Sequence, residues 1–141
     1  MGKYIFLLII PFFLYACGGG GGEEKNNSQT NNTPSLKEHT ISARNIKECV
    51  GFEITLNLTE GSNYSIEKSP SIKSWNLKYS LKENKVKIIA FNPDLKPIGK
   101  NESVPLIKIK IPNGIQITSI TYKVVDDFGN PIKKADISVS Q

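Results

Sequence analysis

Few residues of this chain have side chains able to catalyse, ligate or be modified. Two cysteines, Cys17 and Cys49, and one histidine, His39, make up its thiol and imidazole inventory. His39 stands at the end of a polar stretch, where nothing in the sequence holds it beside a nucleophile, so it reads as a solvated residue rather than part of a Ser–His–Asp arrangement. No Cys/His spacing suits zinc, and no Gly-rich loop follows a strand to cradle phosphate. Asp126, Asp127, Asn130 and Asp136 carry oxygens of the kind calcium takes. Their spacing departs from an ordered calcium loop, and a solvated turn is the expected reading. The chain therefore reads as a non-enzyme, with no cofactor and no metal. Aromatic rings supply the remaining recognition chemistry. Trp75 and Tyr79 share one face at period two, where exposure would make a sugar-stacking platform. Leu77 and Leu81 lie on that same face and make core the expected place for both. Tyr64 falls in a loop and is the better exposed candidate.

Cys17 differs from these by its context. Lys3 precedes an apolar run from Tyr4 to Ala16, and five glycines, Gly18 to Gly22, follow the cysteine. A basic end, about a dozen apolar residues and small residues at the exit are the layout of a secretory signal. The run is shorter than the roughly 20 apolar residues that cross a bilayer. Those residues alone also allow an uncleaved anchor, or a signal cut elsewhere with Cys17 incidental. Leu14, Ala16 and Cys17 resemble the lipobox of bacterial lipoproteins, in which a small residue precedes a cysteine that receives a diacylglycerol; Tyr15 departs from the usual small or β-branched residue. The resemblance implies a signal peptide at residues 1–16 and acyl chains, palmitate among them, on Cys17. It also implies attachment to the membrane. Two or more acyl chains hold far more firmly than one, because each buried CH₂ contributes about 0.8 kcal/mol. Gly18 stands where an Asp would imply inner-membrane retention. The implied address is therefore the outer membrane of the cell envelope, facing the periplasm or the surface.

Residues 17–38 then read as a lipidated cysteine and a flexible linker. Glycines lead into Glu23-Glu24-Lys25 and an Asn/Ser/Thr-rich run that cannot build a core. Residues 18–38 would reach about 25 Å root-mean-square, enough to let a domain turn freely above headgroups. The formal net charge of +5 is an ordinary solubilising value. The lysines are scattered and Arg44 is the only arginine, so a nucleic-acid partner is not expected. With Cys17 acylated, Cys49 has no partner within the chain and reads as a small buried residue at the start of a strand.

From residue 39 to 141 the pattern is that of one all-β domain. Val50, Phe52, Ile54, Leu56 and Leu58 alternate with Gly51, Glu53, Thr55 and Asn57, which predicts a half-buried strand. Trp75, Leu77, Tyr79 and Leu81 repeat the alternation, and Glu83-Asn84 reads as a tight turn. Val86 to Phe91 is nearly continuous apolar sequence, as expected of a central strand covered on both faces. Ile107, Ile109 and Ile111 alternate with Lys108 and Lys110 before the Pro112-Asn113-Gly114 turn. Ile115, Ile117, Ile120, Tyr122 and Val124 follow, with a phase shift near Ser119 that suggests a bulge. Asp126 to Pro131 is a turn cluster, and Ile132 to Ser140 a last strand with Ala135, Ile137 and Val139 inward. The expected fold is an antiparallel β-sandwich. Its inward set would be Phe52, Ile54, Leu56, Trp75, Leu77, Ile89, Phe91, Ile107, Ile109, Ile120 and Tyr122.

Val50 to Leu56, Lys87 to Asn92, Lys100 to Ile111 and the Asp127-Phe128-Gly129-Asn130 turn resemble the cohesin-like modules within the carbohydrate-binding sandwiches. Those modules begin with two more strands. Here only Thr40 to Ile46 precedes the Gly-containing one, enough for a short strand, so the sandwich would lack one or two N-terminal strands. The resemblance implies a non-catalytic binding module with a protein ligand, or a polysaccharide one. Contact is expected on the sheet face and edge from Lys78 to Phe91, with Tyr64, Lys78, Tyr79 and Lys87 as ligand-binding residues. The alternative reading is a structural accessory lipoprotein of an outer-membrane assembly, accepting a strand from its partner.

Overall fold

The computed structural model describes residues 35–61 and 63–141. The signal segment, Cys17, the glycines and the linker as far as residue 34 lie outside them. Among the described residues eight strands form two four-stranded sheets with every pairing antiparallel. The strands are β1 (Leu36–Arg44), β2 (Gly51–Leu58), β3 (Ser65–Lys68), β4 (Asn76–Lys82), β5 (Lys85–Phe91), β6 (Val104–Pro112), β7 (Ile117–Val125) and β8 (Asp136–Ser140). The first sheet runs β3-β6-β1-β8 and the second β4-β5-β2-β7. A single 3₁₀ turn, Pro70–Ile72, is the only helical element among the described residues. The all-β sandwich expected from alternation is the observed architecture.

Alternation explains the layers. Along β2, Phe52, Ile54, Leu56 and Leu58 are buried and the intervening Glu53, Thr55 and Asn57 are half-buried. Opposite them across the gap, β1 turns in Ile41 and Ala43, and β6 turns in Ile107, Ile109 and Ile111. Burying each such aliphatic side chain contributes about 1.5–3 kcal/mol. Two bulges interrupt the period. The β1–β6 register shifts between Ile41 and Ser42, leaving Leu106 as an extra residue on β6, so Leu106 and Ile107 are both buried. The β2–β7 register shifts between Asn57 and Leu58, so Thr118 is extra beside Ser119, where the sequence suggested a bulge.

Four elements differ from the sequence expectation. Ser65–Lys68, to which alternation assigned no strand, forms β3. β1 is nine residues long and starts at Leu36, inside the segment read as linker. β8 covers only Asp136–Ser140, because Ile132 to Ala135 is a turn closed by the Ala135 N–H donating to the Ile132 carbonyl at 3.1 Å. β5 is central but not covered on both faces. Its pairing places Val86, Ile88 and Ala90 opposite Leu56, Ile54 and Phe52, so these three point inward. Ile89 and Phe91, expected inside, point outward and are 42% and 45% exposed. Tyr122 lies on the inward side of β7 but is 43% exposed, its hydroxyl donating to the Ala135 carbonyl at 3.3 Å.

The crossing between sheets after β3 is pinned by apolar and polar contacts together. Ile72 and Trp75 are buried, and the Trp75 ring lies 5.9 Å from that of Phe52. The Lys68 ammonium donates to the carbonyls of Lys73 (2.8 Å) and Trp75 (2.7 Å), satisfying two groups of the loop. Trp75 is thus core, and no sugar platform forms with it. At the other end of β4 the hairpin turns on Glu83, whose φ is 57°. Gly61 closes against this turn so tightly that an added Cβ would lie 2.3 Å from the Glu83 carbonyl oxygen. Gly61→Ala is therefore expected to cost about 1–3 kcal/mol, the usual range for forcing extra volume into a filled site. A chemical-denaturation midpoint equal to wild type would contradict that close approach.

Candidate functional site

The two outer faces of the sandwich differ in how their charges are used. On the first sheet, the Lys108 ammonium lies 2.8 Å from Glu38, and Lys110 bridges Glu67 (3.1 Å) and Glu38 (3.8 Å). Lysines and glutamates there neutralise one another across three strands. The Lys108 ammonium beside it holds the Glu38 carboxyl below its ordinary range. Such exposed pairs contribute little to stability; their effect is to leave a face mostly of small polar side chains and satisfied charge, with Leu36 exposed at one end.

The outer face of the second sheet is arranged otherwise. Pairing across β4, β5, β2 and β7 builds rows of side chains that share this face. One row is Asn76, Phe91, Gly51 and Val125; the next is Lys78, Ile89, Glu53 and Lys123. Then come Ser80, Lys87, Thr55 and Thr121, and finally Lys82, Lys85, Asn57 and Ser119. Apolar groups gather at one end, while Lys78, Lys82, Lys85, Lys87 and Lys123 are all exposed. Glu53 is the one acid in these rows, and it pairs with Lys87 at 3.0 Å. The face as a whole is basic with an apolar end.

Gly51 makes that end concave. With no side chain there, a shallow hollow of about 210 Å³ opens between Ile89, Phe91, Lys123 and Val125. A Cβ at Gly51 would sit 3.3 Å from Val125 Cγ2 and 3.4 Å from the Ala90 carbonyl oxygen, so the neighbours already crowd the backbone from the sides. An exposed apolar patch with polar and charged surroundings is the composition of an interaction surface.

The residues expected to bind do not all meet. Lys78 and Lys87 stand on this outer face in neighbouring rows. Tyr79 points to the opposite side of β4 with Leu77 and Leu81, opposite Ile88. It is nevertheless 50% exposed and Leu81 is 37% exposed, because β3, the edge strand of the other sheet, is only four residues long. Tyr64, expected in an exposed loop, is half-buried instead: its ring packs edge-on against Tyr79 at 5.8 Å. Burial beside that second phenol pushes the Tyr64 hydroxyl pKa up. Cys17 lies outside the described residues. The residues that sequence reasoning missed are Gly51, Ile89, Phe91 and Val125. The signal was present in β5, where Lys85 and Lys87 share the period-two phase of Ile89 and Phe91, and lysines mark an outer face.

Two reactive groups are withdrawn from solvent. Cys49 is fully buried, and burial pushes its thiol up to about 12. His39, read from sequence as solvated, is 3% exposed, because strand β1 begins before it and turns it inward in phase with Ile41. Neither ring nitrogen has a hydrogen-bond partner among the described residues. Burial, with the nearby Lys37 charge, lowers its pKa below 6.5.

No protein-family model matches this chain, and no curated protein matches it. Among solved structures it is similar to the non-cellulosomal cohesin from the hyperthermophilic archaeon Archaeoglobus fulgidus, with a TM-score of 0.53 and 13% identity, covering 71% of this chain and 74% of that one. At that identity the likeness is one of fold, and it makes this domain a cohesin-like β-sandwich.

Two outcomes follow from the withdrawn groups. Native Cys49 should resist iodoacetamide at pH 8 and react once the chain is unfolded in guanidinium; rapid native labelling would mean the loop opens. The unfolded chain takes up a proton on His39 as pH falls through 6.5 while the folded chain stays neutral. Stability is therefore present above pH 6.5 and declines as the pH is lowered towards the depressed native value. Since His39 is the only histidine, His39→Phe should flatten the stability profile between about pH 6.5 and 5.5; an unchanged slope would show that the ring charges freely in the native state.

Proposed function

We propose that this protein is a non-catalytic binding module, held by acyl chains on Cys17 at the outer membrane of a bacterial cell envelope, and that it engages a protein partner through the outer face of the β4-β5-β2-β7 sheet. The observation that carries the binding reading is the contrast between the two outer faces. One spends its lysines on Glu38 and Glu67, while the other sets a Gly51-floored apolar hollow beside lysines that have a single acid among them. An apolar side chain of the partner would fill the hollow, and polar or acidic groups would meet Lys78, Lys87 and Lys123. Buried apolar centre and charged rim is the division of labour found in protein interfaces. The cohesin-like fold supports the same reading by resemblance. The anchoring reading rests on Leu14, Ala16 and Cys17 and on the polar tether behind them.

Each half has its own test. Cells fed labelled palmitate should incorporate it into the wild-type protein and not into Cys17→Ala, which should leave the membrane fraction; equal labelling of both would remove the anchor. A photo-crosslinking residue at position 91 of the full-length protein should capture a discrete protein partner in cells, and one at position 40 on the opposite face should not. Ile89→Glu should weaken that complex by about 30-fold or more, the effect of losing a central anchor of about 2 kcal/mol. Lys87→Glu should act on the association rate and its salt dependence. Equal capture at both positions would overturn the assignment of the face.

A further inference from the structure

A sheet offers its backbone only at its edges. The β4-β5-β2-β7 sheet ends in β4 on one side and β7 on the other. The β7 edge is partly closed: the Ile132 N–H donates to the Val124 carbonyl at 2.9 Å, and Pro131 bridges Val125. β4 pairs with β5 alone. Which of its backbone groups face outward follows from the ladder beside it. The Asn92 N–H donates to the Val50 carbonyl and the Leu58 N–H to the Asn84 carbonyl, both at 2.8 Å. In the same phase Val86, Ile88 and Ala90 bond to β2, and Lys85, Lys87, Ile89 and Phe91 turn their backbone groups towards β4. Their partners there are Lys82, Ser80, Lys78 and Asn76. The N–H and C=O groups of Leu77, Tyr79 and Leu81 are left along the open edge, and no hydrogen bond among the described residues takes them up.

Uncovered apolar surface lies along the same edge. The side chains of Leu77, Tyr79 and Leu81 share the inward side of β4, and there Tyr79 and Leu81 stay exposed because β3 stops short. The Tyr64 ring supports that of Tyr79 from one side at 5.8 Å. On the outer side of the strand Lys78 and Lys82 flank Ser80, and Lys85 and Lys87 follow on β5, all of them exposed. A shallow hollow of about 130 Å³ is lined by Lys78, Tyr79, Ser80, Lys87 and Ile89. Glu53 is taken by Lys87, and Glu83 stands in the turn beyond the strand. The edge is thus apolar towards the core side and basic towards the outer side.

That division selects the occupant. A second copy of β4 laid against the first would gather both sets of Lys78 and Lys82, with the β5 lysines behind them, on one surface. Like charges so placed oppose the pairing, which is how lysines guard an edge against its own copies. A strand with acids in its outward phase meets the same lysines favourably, and apolar residues in its inward phase cover Tyr79 and Leu81. In such strand addition the main chain supplies affinity and the alternate side chains supply choice. Resting on the reading of this sheet as the protein-binding side, we propose that β4 accepts an extended segment of the partner as a fifth strand, its apolar residues over Tyr79 and Leu81 and its acidic residues beside Lys78 and Lys82.

Amide hydrogen exchange reads the backbone directly. In full-length, ¹⁵N-labelled protein in detergent, the amides of Leu77, Tyr79 and Leu81 should exchange freely while those of Lys78 and Ser80 are protected. Protection of the first three in the free protein would overturn the proposal, and protection that grew with protein concentration would give the edge to a second copy instead. The probe is an end-capped peptide of alternating Val and Asp, about nine residues long, enough to span β4. At saturation it should slow exchange at Tyr79 and Leu81 by about tenfold or more, and the matching Val/Lys peptide should not. Lys78→Glu combined with Lys82→Glu should weaken the acidic peptide by about tenfold. Both lysines are exposed, so that variant should fold; a melt identical to wild type checks it. No protection by the acidic peptide, or equal protection by the basic one, would overturn the added strand. Photo-crosslinking at position 91 reads the outer face independently, so discrete capture there without protection of β4 would refute the added strand alone and leave the docking face standing.

Discussion

Everything on the second sheet depends on the register of β2. Its alternation admits one placement, with Phe52, Ile54 and Leu56 inward, because a slip of one residue would send the whole apolar set to solvent. Once β2 is placed, its pairing with β5 and β7 determines the orientation of every side chain on those strands. Ala90 must face in because it lies opposite Phe52, and Phe91 must face out because it lies opposite Gly51. The hollow, the apolar end and the lysine rows are consequences of that one constraint.

The same constraint explains why an apolar residue is left exposed. β5 carries both Ile88 and Ile89, and only one can meet the core. Burial of Val86, Ile88 and Ala90 fills the space beneath, and no third layer covers Ile89 and Phe91 among the described residues. On the other sheet the outward phase of β6 holds Lys108 and Lys110, so its face is finished by ion pairs. The difference between a face finished by ion pairs and one left partly apolar lies in the outward phase of a single central strand.

The edge of the sandwich shows a different compromise. β1 begins three residues before His39 and places Lys37 and His39 in the inward phase, where the sheets part. An unpaired buried imidazole costs about 1–3 kcal/mol, which the packing of Ile41, Ile109 and Ile111 easily outweighs. The fold tolerates a polar residue inside.

Much of this was legible in the residues. The positions of β2, β4, β5, β6 and β7, the Glu83-Asn84 hairpin, the bulge near Ser119 and the sandwich itself follow from period-two alternation and turn chemistry, which are local and need no partner. Burial of Cys49 and Trp75 followed from their apolar neighbours. What alternation could not settle was phase where both phases are apolar, as from Val86 to Phe91, and burial where the sequence looks polar, as at His39. Those outcomes belong to pairing: Ile89 is outside because Glu53 is opposite it, and His39 is inside because Ile109 is opposite it. The sequence by itself therefore determined most of the elements and the class of fold. The tertiary structure decided which face is open and which polar group is enclosed, since the hydrogen-bond register between distant strands, not any local preference, assigns each side chain its side.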